Sequence, residues 1–330
     1  MTLPCDVVLR GAAINAVGDQ ANNVESLGFA GVGVTETTGN PFLAAAQAAQ
    51  ATSTVQVTTA IALAFPRTPM DVAYTAWDLQ ALSSGRFALG LGTQVRAHVE
   101  RRYGAVWSKP AARMREYVLA LHAIWDAWES GEPLNFEGEF YRHTLMPPNF
   151  RPAPLEWGRP PVLLAAVRER MTEVVGEVGD GLLSHAFCTQ DVLSELTLPA
   201  IERGLERSGR SRADVSITAS VFVATNEEDW EANRKRIAFY GSTPGYRHVL
   251  DHHGLGSTFD ALHTCSREGR WAEMPGIVDD DTLGLFVVRG DTPQSIAAEV
   301  RKRVGGHADR VALVAEGAEP AAIAPIAAAL

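Results

Sequence analysis

Cysteine is scarce in this chain of 330 residues: Cys5, Cys188 and Cys265 are the only three. They make neither a CxxC pair nor an even disulfide set, which excludes a disulfide scaffold and points to a reducing, cytoplasmic compartment. Positive charge is also in short supply. Twenty-nine Lys and Arg face 39 Asp and Glu, a net charge of −10, which argues against nucleic acid or an anionic membrane as partner. An anionic ligand would therefore need local positive contacts. No run approaches ~20 uninterrupted apolar residues, so no membrane span is expected. The start, "MTLPCDVVLRGAA", shows no basic stretch leading into an apolar core, so no signal peptide is expected. A GxSxG nucleophile elbow is missing, and so is a CxxC metal spacing. The adjacent histidines of "DHH" (Asp251–His253) fall in an irregular region, so no metal is expected.

Hydrophobic residues make up 46% of the chain and charged residues 21%, enough for a large core. Short apolar runs alternate with helical patterns. Strands are predicted at Cys5–Arg10, Gly28–Val34, Thr54–Leu63 and Arg86–Leu91. Between the first two, Val17, Ala21, Val24 and Gly28 line one helix face. Pro41 and Pro69 open the next two helices, a position that suits proline. Each βα unit takes about 25–30 residues, the length of a parallel crossover. A long helix over Arg113–Trp128 buries Met114, Tyr117, Val118, Leu121, Ile124, Trp125 and Trp128 on one face. A proline-rich stretch with room for a short hairpin follows. Further strands are predicted at Pro161–Ala166, within Asp180–Phe187, at Val215–Thr225 and at Asp309–Glu316, with helices at 190–208 and 292–304. Helical pieces fill an irregular insertion over about 240–285. The reading is a single α/β domain over 1–330, a (β/α)8 TIM barrel with insertions after strands 4 and 7. A doubly wound open sheet is the alternative, but its first βα turn, "RGAAINAVGD", has no glycine triplet.

In a barrel the site lies at the C-terminal strand ends. Glu36 there is either an acid or hydrogen-bond acceptor, or a helix-entry carboxylate beside a capping Thr37 or Thr38. His98, Arg101 and Arg102 either meet an anionic ligand or form a solvated helix end. His185 closes strand six as a general acid, a base, a substrate donor or a packed core histidine. In "AAVRERM" small residues run straight into a helix, offering free N–H groups to a phosphate, with Arg168 and Arg170 adding charge. Most of the seven tryptophans read as packing. The segment "LSSGRFALGLGTQ" (82–94) follows a helix and alternates like a buried strand. It is therefore strand four rather than a dinucleotide loop, with Gly90 and Gly92 keeping the wall thin and Thr93–Gln94 delivered to the site.

Together, "ANNVESLGFAGVGVTE" (21–36), "RTPMDVAYTAWDLQALSSGRFALGLGTQ" (67–94), "YGAVWSKPAARMREYVLALHAIW" (103–125) and "PVLLAAVRERMTEVVGEVGDGLL" (161–183) resemble the bacterial luciferase-like monooxygenase superfamily. "HAF" at 185–187, "IAFYGSTPGY" (237–246) and "DRVALV" (309–314) resemble its coenzyme F420-dependent oxidoreductase subgroup. The resemblance implies a homodimer through helices of the first half, with a flavin or deazaflavin at the mouth. It also implies a non-prolyl cis peptide at Ala60–Ile61 behind the ring, and a Glu36 that bonds near the ring or the substrate. Thr93, Gln94 and His98 would line the pyrimidine side, and Ala165, Ala166, Val167 and Arg168 would take the phosphate.

Three departures bear on the activity. Thr37 stands where several F420 enzymes have histidine, Val95 where sugar-phosphate dehydrogenases have an acid, and Val167-Arg168 where glycine is usual. They argue against glucose-6-phosphate as substrate and leave His185, with Glu36, as the catalytic candidates. The implied reaction is F420-dependent hydride transfer to or from a small organic molecule. The alternatives are an FMN-dependent monooxygenase and a coenzyme-binding paralogue without turnover. Apolar side chains of the insertion (Phe239, Tyr240, Tyr246, Leu250) suit either an apolar substrate or internal packing.

Overall fold

The computed structural model describes residues 2–314 and 319–330. Eight parallel strands close on themselves: β1 Cys5–Leu9, β2 Gly31–Val34, β3 Gln56–Thr59, β4 Phe87–Gly92, β5 Val162–Ala166, β6 Gly181–Ser184, β7 Ser216–Ala224 and β8 Arg310–Val314. Each pairs with the next, and β8 returns to β1 with Cys5 opposite Val311. This is a (β/α)8 TIM barrel. The last two residues of the predicted eighth strand, Ala315 and Glu316, lie outside the described residues.

Period-two alternation explains the strands. In β1, Cys5, Val7 and Leu9 are buried beneath the helices, while Asp6 and Val8 turn into the bore. The helices begin where proline and small polar residues allow. Asn40 accepts the Phe42 N–H at 2.9 Å ahead of Pro41, and Thr68 accepts the Asp71 N–H ahead of Pro69. The cap after β2 is therefore Asn40, not Thr37 or Thr38. Helix Pro110–Ser130 packs on helix Pro69–Leu82 through Trp77, Trp125 and Trp128, with Trp77 edge-on to Trp128 at 5.4 Å. Trp125 donates its indole N–H to the Ala73 carbonyl at 3.2 Å. Truncating such a ring to alanine costs about 3–5 kcal/mol.

Excursions follow β4 and β7, as predicted. The first holds helices Arg96–Arg101 and Pro110–Ser130 and a small hairpin pairing Phe136–Glu137 with Arg142–His143. The second contains helices Glu227–Gly241, Arg247–His252, Gly256–Arg267 and Asp280–Phe286. These pack on the upper ends of β6 and β7 through a second apolar cluster that includes Phe187, Phe222, Leu250 and Phe286. Phe187 and Phe286 stack at 4.3 Å. A short strand, Val287–Arg289, adds to the edge of β7. Sequence patterning missed it, because three residues directly after a helix carry no alternation. Among the described residues, no helix is long and apolar enough to cross a membrane.

Candidate active site

The interior faces of the strands carry small or polar residues where most barrels are filled by branched side chains. Gly33, Thr58, Ala60, Gly92, Ala165, Ser220 and Ala312 all border one cavity of about 890 Å³ that opens at the C-terminal mouth and reaches down to Asp6 and Gln56. Gly90 is needed for a close approach in its wall. A Cβ there would sit 1.8 Å from the Thr59 carbonyl oxygen, where Thr59 Oγ1 already donates to the Gly90 carbonyl and accepts its N–H.

Most of the residues selected from sequence meet at this cavity. Ala60 and Ile61 line it, joined by the one cis peptide bond among the described residues, and the strand resumes at Ala62–Leu63 against Leu91 and Gly92. The single predicted strand over 54–63 is thus two pieces interrupted by that bond. Thr93 and Gln94 follow β4 on the adjoining wall, Gln94 in the left-handed region at φ 61°. Its side-chain oxygen accepts the Val95 N–H at 2.9 Å, offsetting part of the roughly 1 kcal/mol that a non-glycine residue pays there.

Ala165, Ala166, Val167 and Arg168 border the cavity at the end of β5. Arg168 is the N-cap of helix Glu169–Val178 and makes no side-chain cap bond; Met171 N–H donates to the Arg168 carbonyl at 2.9 Å, which leaves the Glu169 and Arg170 N–H groups for another acceptor. Its guanidinium donates to the Pro244 carbonyl at 3.0 Å, tying the phosphate-loop candidate to the second excursion. That helix is itself fixed by buried Glu173, which accepts from Arg207, Arg203 and Arg170. The three arginines, led by Arg207, outweigh burial and hold its carboxyl down at about 2. A second cavity of about 560 Å³ shares Val167, Arg168 and Pro244 with the first and extends to Arg203, Arg247 and His248.

His185 lines the first cavity after β6. Its Nδ1 accepts the Phe187 N–H at 3.0 Å, so in the neutral ring the proton sits on Nε2. Tyr240 and Tyr246 pack on the ring at 4.5 and 4.8 Å. Burial, with the charges of Arg10 and Arg236, pushes its pKa down to about 3. At neutral pH this histidine is an uncharged hydrogen-bond donor rather than a proton-exchanging base.

Two of the selected residues stay outside the cavity. Glu36 is buried behind the wall, where its carboxylate accepts from Leu63 N–H at 2.8 Å, Arg67 Nη1 at 2.8 Å, Arg67 Nη2 at 3.0 Å and Tyr103 Oη at 2.9 Å. With its acceptor positions so engaged, it clamps the end of β3 instead of facing a ligand. His98 is exposed on helix Arg96–Arg101, because Val99 takes that short helix's buried face. In the insertion, Tyr246 borders the cavity, Leu250 is core and Phe239 is 52% exposed. His252 meets Glu195 and His253 meets Thr189; among the described residues no cluster of His, Cys, Asp or Glu is arranged for a metal. Arg10 and Trp107, both lining the cavity, were missed. The signal for Arg10 was present in the period of β1, where Asp6, Val8 and Arg10 share a face.

Comparison with known proteins agrees with this geometry. Residues 3–310 match the family model described as luciferase-like monooxygenase. An uncharacterized protein of Mycobacterium tuberculosis, Rv1360, is 48% identical, the alignment covering 89% of this chain and 88% of that one. Among solved structures, the coenzyme F420 dependent tetrahydromethanopterin reductase from Methanopyrus kandleri superposes with a TM-score of 0.79 at 18% identity, over 99% of this chain and 98% of that one. An F420-dependent secondary alcohol dehydrogenase in complex with an F420–acetone adduct gives 0.75 at 16% identity, over 100% and 98%. These two are likenesses of fold. With the family model spanning nearly the whole chain, the protein belongs to the luciferase-like monooxygenase family.

Proposed function

We propose that this chain is an F420-dependent oxidoreductase that transfers a hydride between the deazaflavin C5 and a small organic substrate. The observation that carries the reading is a single cavity bordered at once by Ala60–Ile61, by Thr93–Gln94 and by the Ala165–Arg168 helix entry. This arrangement fits a flat ring joined to a phosphate. Ala60, Ile61, Thr93 and Gln94 would flank the ring, and the N–H groups after Val167, with Arg168, would receive the phosphate. The coenzyme, when bound, supplies a two-electron hydride donor and acceptor that does not readily activate oxygen.

The chain's own part is orientation and a fixed donor. His185 presents Nε2–H to the substrate oxygen as negative charge develops on it. Glu36 holds the end of β3 through Leu63 and Arg67 and so supports the ring's backing. His98, exposed, takes no part in this scheme.

FMN on the same barrel is the second reading. The cavity beyond Arg168 favours F420, whose anionic tail continues past the phosphate, whereas FMN ends there. Of the three acids in that cavity, Glu169 is paired with Arg203 and Asp251 with Arg247, while Glu195 meets His252. A homodimer through first-half helices belongs to the same proposal. The exposed Leu43 and Leu82, on helices Pro41–Ala51 and Pro69–Leu82, are apolar side chains that such a face would cover, which light scattering tests.

Fluorescence titration with F420 and with FMN tests the coenzyme. Saturable F420 quenching without comparable FMN binding is expected, and the reverse result overturns the proposal. Bound F420 whose absorbance stays constant across an alcohol, aldehyde and enone panel would favour the coenzyme-binding paralogue instead.

A further inference from the structure

Charge is unevenly placed around the cavity. Among the described residues its lining includes four arginines (Arg10, Arg96, Arg168 and Arg170) and one acid, Asp6, in a protein whose net charge is −10. Asp6 lies deep in the bore and is held by Arg310, whose Nε donates to Oδ2 at 3.0 Å. Three of the arginines are engaged. Arg96 pairs with Glu100 at 3.0 Å, Arg170 with Glu173 at 2.9 Å, and Arg168 bonds the Pro244 carbonyl. The Arg10 guanidinium has no ion pair or hydrogen bond among the described residues. Its charge nonetheless acts on its neighbours. After burial, it is the next cause that pushes His185 down, and likewise Arg236, to about 10.

The strand order then separates two positive corners. Arg10 ends β1 and Arg168 follows β5, and in an eight-stranded barrel these strands are diametrically opposed. A phosphate seated at Val167–Arg168 lies across the mouth from Arg10, so the two corners serve different anionic groups. Between them the wall is apolar at Val8, Ile61, Leu183, Ala312 and Val314.

We propose that the substrate is an organic acid with an apolar body, and that Arg10 receives its carboxylate while His185 Nε2–H meets the oxygen on the reacting carbon. The substrate class rests on the oxidoreductase reading above. A carboxylate at Arg10 gains a charge-assisted bond that the neutral amide of the same shape cannot make. The unpaired guanidinium thus sets selectivity for acids over amides and esters.

Calorimetric titration with hexanoate and hexanamide tests the assignment on the intact protein, with and without F420. Hexanoate is expected to bind the wild type at least about tenfold more tightly than hexanamide. Arg10→Gln should abolish the preference, Arg10→Lys should keep part of it, and Arg168→Gln should leave it in place while weakening F420. Equal affinities in the wild type, or a preference that survives Arg10→Gln or disappears with Arg168→Gln alone, would overturn the assignment. The two proposals fail separately. If F420 does not bind but the preference and its loss in Arg10→Gln persist, the Arg10 site stands and the coenzyme reading falls. F420 binding without any hexanoate preference has the opposite meaning.

Discussion

The two ends of the barrel treat polar groups in opposite ways. At the N-terminal floor three carboxylates are bonded within the protein. Asp180, just ahead of β6, accepts the Val162 N–H at 2.8 Å and Arg159 Nη1 at 3.2 Å. Asp309, just ahead of β8, repeats the device with the Ile217 N–H at 2.8 Å and Arg212 at 3.0 Å. Glu25 accepts from the Ser53, Thr54 and Val55 N–H groups. Burial raises its pKa, but these bonds, led by Thr54, prevail and hold it at about 2. Arg86 gives hydrogen bonds to the Ala49, Thr52 and Val55 carbonyls, closing the end of helix Pro41–Ala51.

At the mouth, Arg10 is unpaired among the described residues, the helix after Arg168 has no side-chain cap, and Gln94 is left-handed. Groups bonded internally contribute stability, whereas groups left over are held by water until a ligand replaces it. Glu36 is the exception at the mouth, a carboxylate bonded as fully as any on the floor. That is why it reads as scaffold.

Breaking this contrast at Glu36 should have the largest effect. Glu36→Ala leaves Arg67 without its partner at a nearly buried site and should cost about 3 kcal/mol in urea unfolding, with weaker coenzyme binding. A variant as stable as wild type yet inactive would show that Glu36 acts on the substrate. On the floor, Asp180→Ala strands the Val162 N–H and should cost about 1–3 kcal/mol, while F420 affinity stays at the wild-type value. A parallel loss of affinity would mean that the two ends are not separable.

Close to neutral pH the smallest effect is that of His185. Its pKa is about 3 in the fold against an ordinary 6.5. Above 6.5 both folded and unfolded states are neutral. Below it the unfolded chain takes a proton that the fold refuses until about 3, so stability falls as pH drops through that window. The slope from this group is at most about 1.4 kcal/mol per pH unit, and it should disappear in His185→Asn. Turnover should show no acid limb near pH 6.5, and one that His185→Asn removes would make this histidine a proton carrier after all.

Much of the fold was legible because periodicity is local. The long helix expected over 113–128 is Pro110–Ser130, with every expected apolar residue buried. Helix 190–208 divides into Gln190–Val192, a π turn over Leu193–Thr197, and Leu198–Ser208. Strand two starts at Gly31 rather than Gly28, since Gly28 has a positive φ of 83° and ends a turn. The candidate site was legible to the extent that Thr93, Gln94, Ala165–Arg168 and His185, all chosen at strand ends, border the cavity.

The chain order of apolar, small and proline residues was enough to specify eight strands, their alternation and the end of the barrel at which the cavity opens. Each of those depends on neighbours a few residues apart. Which polar groups face the ligand depends instead on partners far away in sequence. Glu36 is withdrawn by Arg67 and Tyr103, His185 is made a donor by Phe187 and two tyrosines, and Arg10 is left open because closure of β8 on β1 puts no described acid beside it. Charge and hydrogen bonding act through space, so these assignments became fixed when the barrel closed.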